Sequence, residues 1–309
     1  MAKRLFDYHN EEDVRLPVLI KSAEVRVAKN GKKFIAMIFQ DNSGHISGKF
    51  WDATENDIAQ FKAGEVVQLS GKRELYQGNP QIKIYSMRLA TQEEGNDPRT
   101  FVERAPEAPN AMEEELNSFI FEITNANWNR IVRKLIQDHK KAFFSYPAAK
   151  SNHHAFAGGL AFHTLSILRL AKNVVAQYSS LNKSLLYAGA ILHDLGKTIE
   201  LSGPISTEYT VPGNLIGHIV LIDEQIVLAA HQLKIDINSE DMLLLRHVVL
   251  AHHGLLEYGS PVRPQLLEAQ VLHDLDEMDA SINMMMTAYQ HVDPGTFTER
   301  LFGMDNRRF

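Results

Sequence analysis

The feature that most narrows what this chain can become is a change in the spacing of its apolar residues around position 100. From Leu16 to Ala90 apolar and polar residues largely alternate, whereas from Met112 onward apolar residues recur every third and fourth position. A period of two belongs to half-buried strands and a period near 3.6 to amphipathic helices, so two differently built cores are expected. Between them, residues 91–110 (TQEEGNDPRTFVERAPEAPN) hold three prolines, are strongly polar and lose any period, as a linker does. The expected architecture is multidomain α+β, with a β domain over residues 1–90, a linker over 91–110 and an all-helical domain over 111–309. A chain of 309 residues that is 44% hydrophobic can supply both cores.

Five strands are read in the first part: VLIKSAEVRVA, KKFIAMIFQD, GHISGKFWD, VVQLSGKRELY and QIKIYSMRLA. Asn30-Gly31, Asn42-Ser43-Gly44 and Gly78-Asn79-Pro80 supply turn chemistry, and the polar stretch Ala53–Lys62 suits a helix between strands three and four. Three strands, a helix and two strands is the order of an OB-fold, a small barrel whose open face commonly takes oligonucleotides; an SH3-like barrel gives much the same pattern. Strand alternation places Lys49 with Trp51, and Lys83 with Tyr85, on single faces, and basic groups interleaved with aromatics suit single-stranded nucleic acid. The competing reading packs Phe34, Phe39, Phe50 and Trp51 into the barrel core. In the second part, helices are expected over Met112–Ile123, Trp128–Phe144, Leu160–Tyr178, Ser184–Leu195, Leu215–Leu233, Glu240–His252 and Gln265–Tyr289, with Gly196 and Gly254 as left-handed caps.

Composition removes several chemistries. There is no cysteine, which excludes disulfides, thiolate metal sites and cysteine nucleophiles and leaves His, Asp and Glu as metal ligands. The N-terminus has no apolar signal core and no stretch reaches the roughly 18 apolar residues of a membrane span, so a cytoplasmic protein with no membrane partner is expected. The net charge of −6 divides unevenly: residues 1–90 hold 14 Lys+Arg against 11 Asp+Glu, the remainder 18 against 27. Divalent cations bound in the acidic part would offset much of that charge toward a polyanionic substrate. Only His9 and His45 precede residue 130; the other twelve histidines follow it.

Chemistry concentrates in AGAILHDLGK (188–197), where an apolar helix presents adjacent His193 and Asp194 near its end. Four further places set ionisable groups among apolar neighbours, where burial without a partner is costly: His163, His218, His252 with His253, and Asp276 with Asp279 one helical turn on. Together they supply enough imidazoles and carboxylates for two octahedral ions, and a carboxylate such as that of Asp194 can bridge two ions through its two oxygens.

The ordered set His163, His193-Asp194, His218, His252-His253, Asp276 resembles the HD superfamily of metal-dependent phosphohydrolases over most of residues 151–289. With the barrel in front, and with NHHAFAGGLAFHT and ILHDLGK, the chain resembles the YhaM-type 3′→5′ exoribonucleases of Gram-positive bacteria. The resemblance implies hydrolysis of single-stranded RNA, and of single-stranded DNA as a second substrate, from the 3′ end. It implies two divalent ions, manganese first and Fe2+, Co2+ or Mg2+ as the other choices. His163, His193, Asp194 and Asp276 would hold one ion, and Asp194, His218 and His252 or His253 the other, with Asp279 as the rival to Asp276. Lys197 would stabilise developing negative charge or, on the competing reading, be a solvated helix-end cation. Of His153 and His154, His154 is the better candidate to touch substrate. HD domains of this ligand pattern also hydrolyse nucleotides or cyclic dinucleotides, and a non-catalytic single-stranded nucleic-acid-binding protein is the alternative of another class; the intact ligand set argues against the latter. A homo-oligomer in which Asn283–Met286 and the tail Arg300–Phe309 meet a partner subunit is one reading of those segments, core packing and a frayed end the other.

Overall fold

The computed structural model describes residues 3–76, 79–150, 154–290 and 292–309; Gly78 of the expected fourth turn and His153 lie outside the described residues. The chain divides into two compact units, Met1–Arg104 with Pro204–Thr207, and Ala105–Gly203 with Glu208–Phe309.

In the first unit, β1 (Asp13–Val27), β2 (Lys33–Asp41), β3 (Gly44–Phe50), β4 (Val66–Tyr76) and β5 (Asn79–Leu89) close a barrel in the order β1-β2-β3-β5-β4. The helix α1 (Glu55–Gln60) separates β3 from β4 and is capped by Thr54, whose hydroxyl accepts from Asp57 N while the Asp57 carboxylate accepts from Thr54 N. This is the OB-fold order. β1 begins earlier than expected because it serves two neighbours: Asp13–Leu19 pair with β4 and Leu19–Val27 with β2, with a register shift between Ile20 and Ser22 where the strand bends. Closure is made by β3 and β5, which run parallel over Ser47–Lys49 and Gln81–Lys83. Inward alternation fills the barrel with Val18, Ile20, Ile35, Met37, Phe39, Leu69 and Ile82.

The second unit is helical: α2 (Pro109–Phe121), α3 (Ala126–Phe143), α4 (Gly159–Gln177), α5 (Lys183–Leu192), α6 (Lys197–Glu200), α7 (Val211–Leu215), α8 (His218–Gln232), α9 (Glu240–Leu250) and α10 (Leu267–Tyr289). After Lys183, α5 is buried at every position and packs against α3, α4, α9 and α10, which explains why its sequence is almost wholly apolar. Gly189 makes the approach to α9 possible, since a Cβ there would lie 2.4 Å from Val248 Cγ1. The central helix thereby delivers its C-terminal end into the middle of the unit.

Three expected helices end differently. α5 stops at Leu192 and α9 at Leu250, before the His-Asp and His-His pairs, and the helix expected over Leu215–Leu233 is broken at Gly217 (φ 81, ψ 151), so His218 opens α8. The tail Arg300–Phe309 folds back through a Leu301–Arg307 bridge, and Thr298 N, just before it, donates to Phe309 O (2.9 Å). Among the described residues no helix is long and apolar enough to cross a membrane.

Candidate metal centre

The two histidines that follow helix ends use the same device. The last carbonyls of a helix lack partners within it. At the end of α5 the His193 Nδ1–H donates to Ala190 O (2.8 Å), and at the end of α9 the His252 Nδ1–H donates to Val249 O (2.6 Å). A carbonyl only accepts, so each ring is protonated on Nδ1 and turns the Nε2 lone pair away from its helix. His253 Nδ1 donates likewise to Tyr258 O (2.7 Å), and His218 Nδ1 to Glu200 Oε1 (3.0 Å), which also accepts from His218 N.

Asp194 lies between these rings. Its Oδ2 is 3.4 Å from His193 Nε2 and 3.6 Å from His163 Nε2; its Oδ1 is 3.4 Å from His218 Nε2 and 3.9 Å from His252 Nε2. His163, wholly buried on α4, also has Nε2 3.0 Å from Asp276 Oδ1. Among the described residues three groups result whose ligand atoms lie within 4.8 Å of one another: His163, His193 and Asp276; Asp194, His218, His252 and His253; and, on the far edge of His163, His154, His163 and Asp279. The two oxygens of Asp194 thus face different groups of rings.

These residues fit divalent cations. Among the described residues, Nε2 of His193, His218 and His252 and Oδ1 of Asp194 are buried with no hydrogen-bond partner. Leaving such groups unanswered costs about 1–3 kcal/mol each, and cations answer all of them at once. Burial, reinforced by the neighbouring rings of His253 and His193, pushes His252 well below the usual imidazole range, which keeps it neutral. Burial opposes ionisation of Asp194, but the ammonium of Lys197 beside it outweighs burial and holds the carboxyl well below its usual range. Lys197 Nζ donates to Asp194 Oδ2 at 2.6 Å from a buried position at the start of α6.

Gly196 has right-handed dihedrals (φ −59, ψ −20) and is not the expected left-handed cap, whereas Gly254 is left-handed (φ 72). Gly196 is required for space: a Cβ there would lie 2.2 Å from His218 O. Gly196→Ala is expected to displace the start of α8, lower stability by roughly 1–3 kcal/mol as overpacking does, and reduce metal retention; thermal unfolding and metal content after gel filtration check this.

His154 is 3% exposed and its Nε2 lies 2.8 Å from Asp279 Oδ2, so the structure buries the residue expected at the substrate. Asp279 Oδ2 also accepts from His163 Nδ1 (2.7 Å), so Asp276 and Asp279 take opposite edges of one ring. Glu200, which holds His218, escaped notice in the sequence; its only signal was an acidic residue between Ile199 and Leu201.

In the barrel, Lys49, Trp51, Lys83 and Tyr85 are all exposed, and Lys49 and Lys83 are register partners across β3 and β5. Lys49 Nζ lies 5.7 Å from the Trp51 ring and 5.5 Å from that of Tyr76, an exposed aromatic at the end of β4 that sequence reasoning passed over as a strand terminus. Trp51, 56% exposed, stacks on Phe34 (4.6 Å) outside the core, whereas Phe39 is a core residue and Phe50 packs partly buried against it.

Comparison with known families agrees with both units. The HD domain family matches residues 160–281, and the OB-fold nucleic acid binding domain family matches 18–90. Fold and centre therefore define an HD-domain hydrolase, a divalent-metal-binding class, that carries an OB-fold. Over all 309 residues the chain is 48% identical to the 3′-5′ exoribonuclease YhaM of Listeria monocytogenes, 48% to that of Listeria welshimeri and 47% to that of Listeria innocua, covering 98% of each relative. The chain belongs to the YhaM family of 3′-5′ exoribonucleases.

Proposed function

We propose that this protein is a metal-dependent 3′→5′ exoribonuclease that hydrolyses the phosphodiester bonds of single-stranded RNA, and of single-stranded DNA as a second substrate, in the cytoplasm. The observation that carries the reading is Asp194, whose two oxygens face two separate sets of buried imidazole lone pairs. His163, His193 and Asp276 would hold one ion and His218, His252 and His253 the other, with Asp194 shared. Divalent cations bound there supply Lewis acidity and charge neutralisation toward a phosphodiester, which makes water a competent nucleophile near neutral pH. The mixture of imidazole and carboxylate without thiolate suits Mn2+ or Fe2+ over tightly held structural zinc; Mn2+ is the ion proposed, with Fe2+, Co2+ or Mg2+ as the other choices.

The chain's own groups orient this chemistry. The backbone carbonyls behind His193 and His252, and Glu200 behind His218, fix the rings with Nε2 inward. Lys197 secures Asp194 with one N–H and has two more to offer a phosphate oxygen on which negative charge develops. On the barrel, Lys49 and Lys83 supply phosphate contacts and Trp51, Tyr85 and Tyr76 stacking surfaces for successive bases. Trp51→Ala is expected to weaken binding of single-stranded RNA by about 5- to 150-fold, since one base-stacking residue contributes roughly 1–3 kcal/mol, without lowering the melting temperature; fluorescence anisotropy in the presence of chelator checks it.

The deciding experiment gives metal-stripped protein, resupplied with Mn2+, a 5′-labelled single-stranded RNA. A ladder that shortens from the 3′ end supports the proposal. Intact RNA beside turnover of nucleotides or cyclic dinucleotides would replace it with a small-molecule phosphohydrolase.

A further inference from the structure

We infer that Asp279 is a positioning residue, which fixes His163 in the tautomer and orientation that aim its Nε2 at the metal centre, and that Ser166 and His154 act by holding Asp279. The inference rests on the metal reading of the centre. α10 presents Asp276, Asp279 and Asn283 at spacings of three and four, one helix face. Asp276 Oδ1 meets the Nε2 edge of His163 and Asp279 Oδ2 its Nδ1 edge, so a single helix grips the ring from both sides. An ionised carboxylate only accepts, so Asp279 holds a proton on Nδ1, and a cation taken up between Nε2 and Asp276 would find the Nε2 lone pair aimed at it. Asp279 is itself fully engaged: Oδ2 also takes His154 Nε2 at 2.8 Å, and Oδ1 takes the Ser166 hydroxyl. Asn283 Oδ1 accepts from His154 N (3.0 Å), which ties the backbone of that segment to the same helix face. A carboxylate 8% exposed, with both oxygens committed to protein donors, has the arrangement of a residue that orients a ligand and not that of a ligand.

The test titrates metal-stripped protein with Mn2+ and reads free ion by electron paramagnetic resonance. Asp279→Asn keeps the volume but replaces the charged oxygen shared by two imidazole N–H groups with a neutral amide oxygen, a weaker acceptor. It is expected to weaken Mn2+ binding by about 10- to 100-fold with the wild-type number of ions bound, so that on RNA the loss falls on the Mn2+ concentration for half-maximal rate and not on the rate at saturation. Asp276→Asn, which removes a ligand, is expected to lower the number of ions bound. A lowered number in Asp279→Asn would make Asp279 a ligand, and unchanged affinity would make it merely structural; either overturns the inference. Should Asp279→Asn fail to fold, Ser166→Ala and His154→Gln carry the test: both are expected to weaken Mn2+ binding several-fold, and wild-type affinity in both overturns it. Wild-type protein that binds Mn2+ yet spares RNA would sink the nuclease reading alone, whereas wild-type protein that binds no Mn2+ would sink both.

Discussion

Replacing Asp194 with alanine is expected to cut RNA hydrolysis by on the order of a hundred- to a thousandfold, the scale of deleting one electrostatic contributor from an enclosed site. The substitution removes the one side chain that faces both sets of imidazoles, and it strips buried Lys197 of its carboxylate partner at the same time. Breaking a buried pair from one side typically costs about 3–5 kcal/mol, so part of the effect in Asp194→Ala would be instability. Asp194→Asn separates the two, because it keeps the volume and loses the charge. Single-turnover cleavage of a labelled RNA at saturating Mn2+, beside thermal unfolding of each variant, is the measurement. Retention of a tenth of the wild-type rate by a folded Asp194→Asn protein would contradict the assignment.

The second large effect is on stability. The centre collects imidazole nitrogens and a carboxylate oxygen that are buried without hydrogen-bond partners, so cations bind the folded state and have no comparable site in the unfolded chain. One ion at a hundredfold excess over its Kd stabilises by about 2.7 kcal/mol. For a helical unit of this size, with roughly 2–4 °C gained per kcal/mol, the melting temperature is expected to rise by about 5–11 °C on adding Mn2+ to stripped protein. Differential scanning calorimetry with and without the ion checks this, and Asp194→Ala should lose most of the rise. A barrel transition that stays put while the helical transition moves would place the effect in the second unit.

Much of this was legible in the amino-acid pattern, for identifiable reasons. The barrel strands announce themselves because one face of each meets a core, and the inward residues Ile35, Met37 and Phe39 follow that alternation. The first five residues of β1 were missed because Pro17 counts against a strand interior, although Val14, Leu16 and Val18 keep the inward alternation across it. The histidines and aspartates of the centre stood out because ionisable groups among apolar neighbours need a reason to be buried. Periodicity could not show that α5 and α9 stop just short of them, since the stop is made by the imidazoles themselves, which cap Ala190 O and Val249 O from three residues on. Nor could spacing separate Asp276 from Asp279. They share a helix face, and only the placement of His163 between them assigns each to a different edge of the ring. The roles of Glu200 and Tyr76 depend on tertiary neighbours, and the one local sign of Glu200 was its place between Ile199 and Leu201.

The grip of α10 on His163 also sets a schedule. The residues of the centre are strung from His163 to Asp276, and the carboxylate that meets His163 Nε2 is the last of them to be synthesised. At about 5–20 residues per second, roughly 6–23 s of translation separate the two partners. Throughout that interval the barrel, complete in sequence from residue 90, can fold and the first imidazoles can collect, but the constellation has no closing carboxylate. A ribosome-bound chain halted between Ala90 and Asp276 therefore holds the whole barrel sequence but lacks the carboxylate that meets His163 Nε2, so the centre of a nascent copy stays incomplete until most of its message has been read.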